Sequence, residues 1–90
     1  MLQYYKEKFP VIHAPCYIHP RGVLMGDVEL GRHVNIWPGA VIRGDVNYIK
    51  IGEGTNIQDN AVVHVAHEFP AIIGKNVTVG HGAILHACRI

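Results

Sequence analysis

Of the seven histidines in this chain of 90 residues, three have the type and spacing to do chemistry together: His64, His81 and His86. His64 and His86 are 22 residues apart, and His81 precedes His86 by five. Three neutral imidazoles that leave a fourth coordination position open are a donor set by which proteins hold catalytic rather than structural zinc. Whether these three can serve one metal depends on the fold that stacks them, and the apolar pattern sets that fold.

Aliphatic residues recur every six positions: Ile12, Ile18, Leu24, Leu30, Ile36 and Ile42, then Ile51, Ile57 and Val63, then Ile73, Val79 and Leu85. A period of six fits neither an amphipathic helix nor a half-buried strand. It is the signature of a parallel β-helix built from hexapeptides, an all-β solenoid in which three hexads make one triangular coil. Glycines punctuate the beat at positions 22, 26, 31, 39 and 44, and glycine suits such corners because tight bends often need positive φ. Two interruptions occur. Ile42 to Ile51 is nine positions, so three residues are extra around Asp45–Tyr48; Val63 to Ile73 is ten, so four are extra within Ala66–Pro70. Insertions in a solenoid become corner loops, often on the functional face. Register stays open by one residue at Val62/Val63 and Ile84/Leu85, where two aliphatic side chains adjoin.

Residues 1–10 read as a lead-in, with Tyr4 and Tyr5 placed to cover the first coil and Lys6, Glu7 and Lys8 in solvent. Residues 11–90 form the β-helix domain. With the seven inserted residues removed, the span from Ile12 to Ile90 holds four coils. The last coil ends without a cap, and an open end of parallel strands exposes unpaired backbone groups. The chain is therefore expected to be the front part of a longer protein.

One coil of three hexads is 18 residues, and the His64–His86 interval becomes 18 once the four-residue insertion is subtracted. The two rings should lie on one face, one rung apart, at about 4.8 Å. At that separation both can converge on one zinc with bonds of about 2.0–2.1 Å. His81 sits nearly one face away, about 15 Å along an extended backbone, and cannot readily join them within one chain. A three-fold oligomer resolves the mismatch: a closed ring of three makes heterologous interfaces, and each would bring one chain's His64/His86 face to a neighbour's His81. A histidine on a solenoid face can equally be only a polar surface residue. His13, His19, His33 and His67 show no comparable register and are read that way, although His67 lies in the inserted loop beside the proposed site.

Composition narrows the function classes. With 49% hydrophobic and 17% charged residues the chain is an ordinary globular one. A formal charge of +1 gives no reason to invoke nucleic acid or an anionic membrane. No apolar run reaches membrane-spanning length and the first ten residues lack a signal-peptide core, so a cytoplasmic location is expected. Cys16 and Cys88 form neither a C-x-x-C pair nor a disulfide framework and read as small reduced thiols.

The stretches Ile36-Trp37-Pro38-Gly39-Ala40-Val41-Ile42-Arg43-Gly44-Asp45, Thr55-Asn56-Ile57-Gln58-Asp59-Asn60, Val79-Gly80-His81-Gly82 and Leu85-His86-Ala87-Cys88 resemble γ-class carbonic anhydrases and their hexapeptide-repeat relatives, some labelled ferripyochelin-binding proteins. The resemblance covers essentially Tyr4 to Ile90, with four separated motifs in the right order. It implies a left-handed β-helix, a homotrimer, and zinc (iron or cobalt in some members) at subunit interfaces, with His64, His81 and His86 at the metal-ligand positions. It further implies that Arg43, Asp45 and Asp59 form an arginine–carboxylate cluster bridging subunits, for which a guanidinium fork is suited. Such a cluster can lock the trimer or act in catalysis. Gln58 matches a residue that hydrogen-bonds the water or bicarbonate at the metal; alternatively its amide satisfies a coil corner. The chain departs from the family in a short loop, Ala66–Pro70, where active members carry an acidic loop with a proton-shuttling glutamate. Val46 also stands where the most active type has glutamate. His67 and Glu68 are the only nearby substitutes. Family members also continue through further coils to a C-terminal helix.

These readings converge on reversible hydration of carbon dioxide to bicarbonate, because three neutral imidazoles leave zinc its positive charge and make its water acidic. Activity of so short a chain is expected to be weak or nil. Two rivals remain. One is a coenzyme A-dependent acyltransferase, which needs a single histidine base and no metal. The other is a non-catalytic, metal-binding trimeric scaffold.

Overall fold

The computed structural model describes residues 1–90 and contains strands and turns but no helix. In chain order the strands are β1 (Leu2–Gln3), β2 (Val11–Ile12), β3 (Tyr17–Ile18), β4 (Val23–Leu30), β5 (Asn35–Ile36) and β6 (Val41–Ile51). They continue as β7 (Asn56–Ile57), β8 (Val62–His64), β9 (Ala71–Ile73), β10 (Thr78–Val79) and β11 (Ile84–His86). Every ladder between them is parallel. The chain winds as a left-handed β-helix of about four coils.

Three faces result, because β4 and β6 each run round a corner. Their pairing shifts register between Gly26 and Val28, where the three extra residues of β6 are accommodated. The first face carries β1, the first halves of β4 and β6, then β8 and β11. A second carries β2, the later halves of β4 and β6, and β9. The third is the sheet β3-β5-β7-β10.

The six-residue beat is the interior. Leu24, Ile42, Val63 and Leu85 stack inside the first face; Leu30, Ile51 and Ile73 stack inside the second; Ile18, Ile36, Ile57 and Val79 stack inside the third. All but the terminal rungs are closed to solvent, and each such side chain contributes about 1.5–3 kcal/mol by leaving water. The ambiguous pairs settle by this stacking. Val63 is fully buried and Val62 faces out, while Leu85 is half-buried above Val63 and Ile84 is 74% exposed. The first rung begins earlier than the beat indicates, since Leu2–Gln3 pairs with Leu24–Met25. The lead-in then turns back through a Tyr5–Lys8 hairpin. Tyr4 stacks on Phe9 and stays exposed, whereas Tyr5 packs over Gly26.

Corner chemistry repeats with the coil. Gly39 and Asn60 occupy the same corner one rung apart, with φ of 78° and 62°. A Cβ on Gly39 would lie 2.0 Å from Asn60 Oδ1, so the asparagine side chain fills the space that glycine leaves. The single fully buried polar residue, Thr55, donates from Oγ1 to Gly74 O (2.7 Å) and accepts from Val77 N (3.1 Å), tying two rungs together. The four-residue insertion closes on itself through paired Ala66–Phe69 backbone bonds. Asn47 of the three-residue insertion donates from Nδ2 to His67 O at 3.0 Å, so the two loops brace each other.

Candidate metal centre

The outward column of the first face carries two of the three candidate histidines. Inward Ile42, Val63 and Leu85 force their alternating neighbours Arg43, His64 and His86 outward. His86 is paired in register with His64, and the two rings stand 5.3 Å apart, tilted by 46°. His64 is half-buried and His86 exposed.

Asp45, at the start of the first insertion, folds back over this column with a side chain 11% exposed. Arg43 Nη1 donates to its Oδ2 at 2.6 Å, Val46 N to its Oδ1 at 2.7 Å, and His64 Nε2 to Oδ1 at 3.0 Å. Burial works to raise the carboxyl's pKa. The Val46 amide, the His64 hydrogen bond and the charges of His64 and Arg43 outweigh it and hold Asp45 below the usual carboxylate value. A charged carboxylate behind an imidazole fixes that ring's tautomer and orientation, as metal-ligating histidines require.

His81 stands elsewhere, at the corner following β10, with Nδ1 3.6 Å from Asp59 Oδ1. Asp59, Gln58 and His81 share a pocket of about 240 Å³ with Trp37 and Asn56 on the third face. The structure thus brings together His64, His86, Arg43 and Asp45 as one group, and His81, Gln58 and Asp59 as another. Within a single chain no three histidine, cysteine or acidic side chains converge on one point. Asp59 does not reach Arg43 or Asp45 in the same chain; its neighbour is His81.

Two residues of this pocket escaped the sequence reading. Asn56 Oδ1 is buried without a hydrogen-bond partner. Trp37 packs on Tyr17 with ring centroids 5.1 Å apart. The one signal available was Asn35 and Asn56 at the same phase of successive coils, one residue before the beat, which marks an outward polar ladder and no more. The donor chemistry fits a zinc-type metal. Two stacked imidazoles face out in register, one is backed by a carboxylate, and a third imidazole stands beside Asp59 on another face.

A family model described as bacterial transferase hexapeptide (six repeats) matches residues 9–44. The chain is similar to gamma carbonic anhydrase 1, mitochondrial, of Arabidopsis thaliana, 47% identical over 93% of this chain and 33% of that protein. It is similar also to a probable carbonic anhydrase of Methanocaldococcus jannaschii, 53% identical over 76% of this chain and 43% of that one. A solved hexapeptide transferase family protein from Anaplasma phagocytophilum superposes with a TM-score of 0.92 at 46% identity, covering 98% of this chain and 51% of the other. The chain spans about a third to a half of the length of the relatives it matches. Six-residue beat, parallel coils and these likenesses agree: the chain belongs to the hexapeptide-repeat family, and it is similar to the γ-class carbonic anhydrases within it.

Proposed function

We propose that this protein catalyses the reversible hydration of carbon dioxide to bicarbonate, as a homotrimer holding zinc between subunits. The observation that carries the reading is the split donor set: His64 and His86 in register on one face, His81 on another. The metal would be held by His64 and His86 of one chain and the partner subunit's His81, with iron or cobalt as alternatives. When bound, such a metal acidifies water and supplies the nucleophile for hydration at neutral pH.

The chain's own residues do the rest. Asp45 holds the Nε2 proton of His64 and so directs that ring. Arg43 neutralises Asp45 and places a positive charge where the bicarbonate anion forms. Gln58 offers an amide to orient the attacking oxygen, and Asp59 lies beside His81, 3.6 Å from its Nδ1. Once subunits meet, Asp59 is also a partner for the Arg43 fork. No helix is long and apolar enough to cross a membrane, and both cysteines are free; a cytoplasmic setting belongs to the same proposal.

The test is complementation between subunits. His64→Ala and His81→Ala chains should each be inactive and bind little zinc. Refolded together at equal ratio, about one interface in four pairs an intact His64/His86 face with an intact His81 if subunits mix at random. Zinc content and stopped-flow hydration should return to that fraction of wild type. Failure of the mixture to recover zinc would refute the shared centre, and zinc recovery without hydration would leave a metal-binding scaffold.

Acyl transfer is the second reading, favoured by the transferase descriptions of the matching family model and of the solved relative. A single histidine base would suffice there, and hydrolysis or transfer from acetyl-coenzyme A unaffected by zinc removal would select it.

A further inference from the structure

The pocket on the third face is polar on every side but one. Asn56, Gln58, Asp59 and His81 supply two amides, a carboxylate and an imidazole, and the remaining wall is the indole of Trp37. Register puts Trp37 one rung from Gln58, since Asn35–Ile36 pairs with Asn56–Ile57. On the far side of Gln58 the same column ends in Gly80, where even a Cβ would find nothing within 4 Å, so the pocket stays open toward His81. Tyr17 backs the indole at 5.1 Å and 48°, and Trp37 Nε1 is turned to Asn35 Oδ1 at 3.4 Å. The ring is therefore steadied from both sides. Its face, on a residue 37% exposed, is left to whatever enters.

The chemistry of that wall differs from that of the rim. Carbon dioxide has no N–H or O–H to donate and is a poor acceptor, so it gains little from amides and carboxylates. It gains dispersion contact from a flat aromatic surface. Bicarbonate is charged, strongly hydrated and carries a hydroxyl. The Gln58 amide and the His81 imidazole on the rim can donate to it, which the indole face cannot. We propose that Trp37 is the specificity-determining wall for carbon dioxide: it holds the uncharged substrate beside Gln58 and His81, while the polar rim accepts the product. The assignment rests on the hydration reading. It adds to that reading a residue which neither holds metal nor moves a proton.

Two measurements on the whole protein decide it. Zinc-loaded Trp37→Ala should show KM for carbon dioxide raised about fivefold, with kcat within about twofold of wild type, the pattern of lost substrate binding. Trp37→Phe should recover most of the difference. Wild-type crystals cooled under pressurised carbon dioxide should show linear density against the indole, absent in Trp37→Ala. If wild type hydrates carbon dioxide but KM is unchanged in Trp37→Ala and no density lies on the indole, the assignment is overturned. If wild type proves inactive, the hydration reading falls and the density alone decides Trp37, its presence upholding the wall and its absence overturning it. Should Trp37→Ala separate into lone chains, Trp37→Leu takes its place; dissociation of both would overturn the assignment in favour of an assembly contact.

Discussion

Replacing Thr55 with valine keeps the side chain's shape and removes only its hydroxyl, which makes it a sharp test of what holds successive coils together. Thr55 is fully buried, and its Oγ1 serves Gly74 O at 2.7 Å and Val77 N at 3.1 Å. Valine leaves both backbone groups without that partner, at about 1–3 kcal/mol for each group stranded away from water. Gly74 and Val77 are only half-buried, so the lower part of that range applies and the loss for Thr55→Val should be about 2–4 kcal/mol. Thr55→Ser keeps both bonds and gives up one buried methyl, about 1 kcal/mol. Urea denaturation at fixed protein concentration, with the same slope for all three chains, would measure the difference. In a thermal scan Thr55→Val should melt about 10 °C or more below wild type. Val77 leads into β10 and the corner that carries His81, so zinc content should fall in the same order. If the valine variant is as stable as wild type, or more stable than the serine variant, the hydroxyl does not bridge the rungs and the reasoning fails.

Gly39→Ala should cost about 2–3 kcal/mol by chemical denaturation, since alanine resists a φ of 78° and its Cβ would displace the Asn60 amide; a neutral result would mean the corner relaxes. Because the Asp45 carboxyl titrates below its ordinary range, its charge contributes stability that is complete above the unfolded carboxylate pKa and disappears as pH drops through the folded value. Wild type should then exceed Asp45→Asn by a margin that narrows below about pH 4, as followed by thermal melts across pH. His86→Ala, at an exposed outward position, should leave the melting temperature of metal-free protein within about 3 °C of wild type while abolishing zinc retention against a chelator. Loss of fold instead would make His86 structural.

The beat of Ile12, Leu24, Ile42 and their successors was enough to read the solenoid, because inward positions of a hexapeptide coil tolerate little but aliphatic side chains. Both insertions were legible from the broken count between Ile42 and Ile51 and between Val63 and Ile73. The count also set His86 above His64, and the backbone pairs the two in register. Where two aliphatic residues adjoin, as at Val62/Val63, the pattern alone is degenerate. Only stacking between Ile42 and Leu85 chooses which points inward. The site was less legible because its contacts are diagonal or run through loops. Nothing in the spacing of Asp45 and His64 announces a 3.0 Å hydrogen bond, since Asp45 lies in inserted chain outside the beat. Trp37 and Tyr17 meet across a corner-to-rung diagonal. Met1–Gln3 holds too few residues for periodicity to show the rung it makes.

Placing the imidazoles on separate facets has a consequence for how the protein behaves in bulk. A solitary copy carries every ingredient and completes no centre, so the reaction would vanish on dilution more steeply than protein concentration itself. Each copy in a ring of three would also lend to one neighbour and borrow from the other. A chain damaged on both facets would then silence two of the ring's three centres, and a minority of such copies would depress the output of a mixed population well beyond their share.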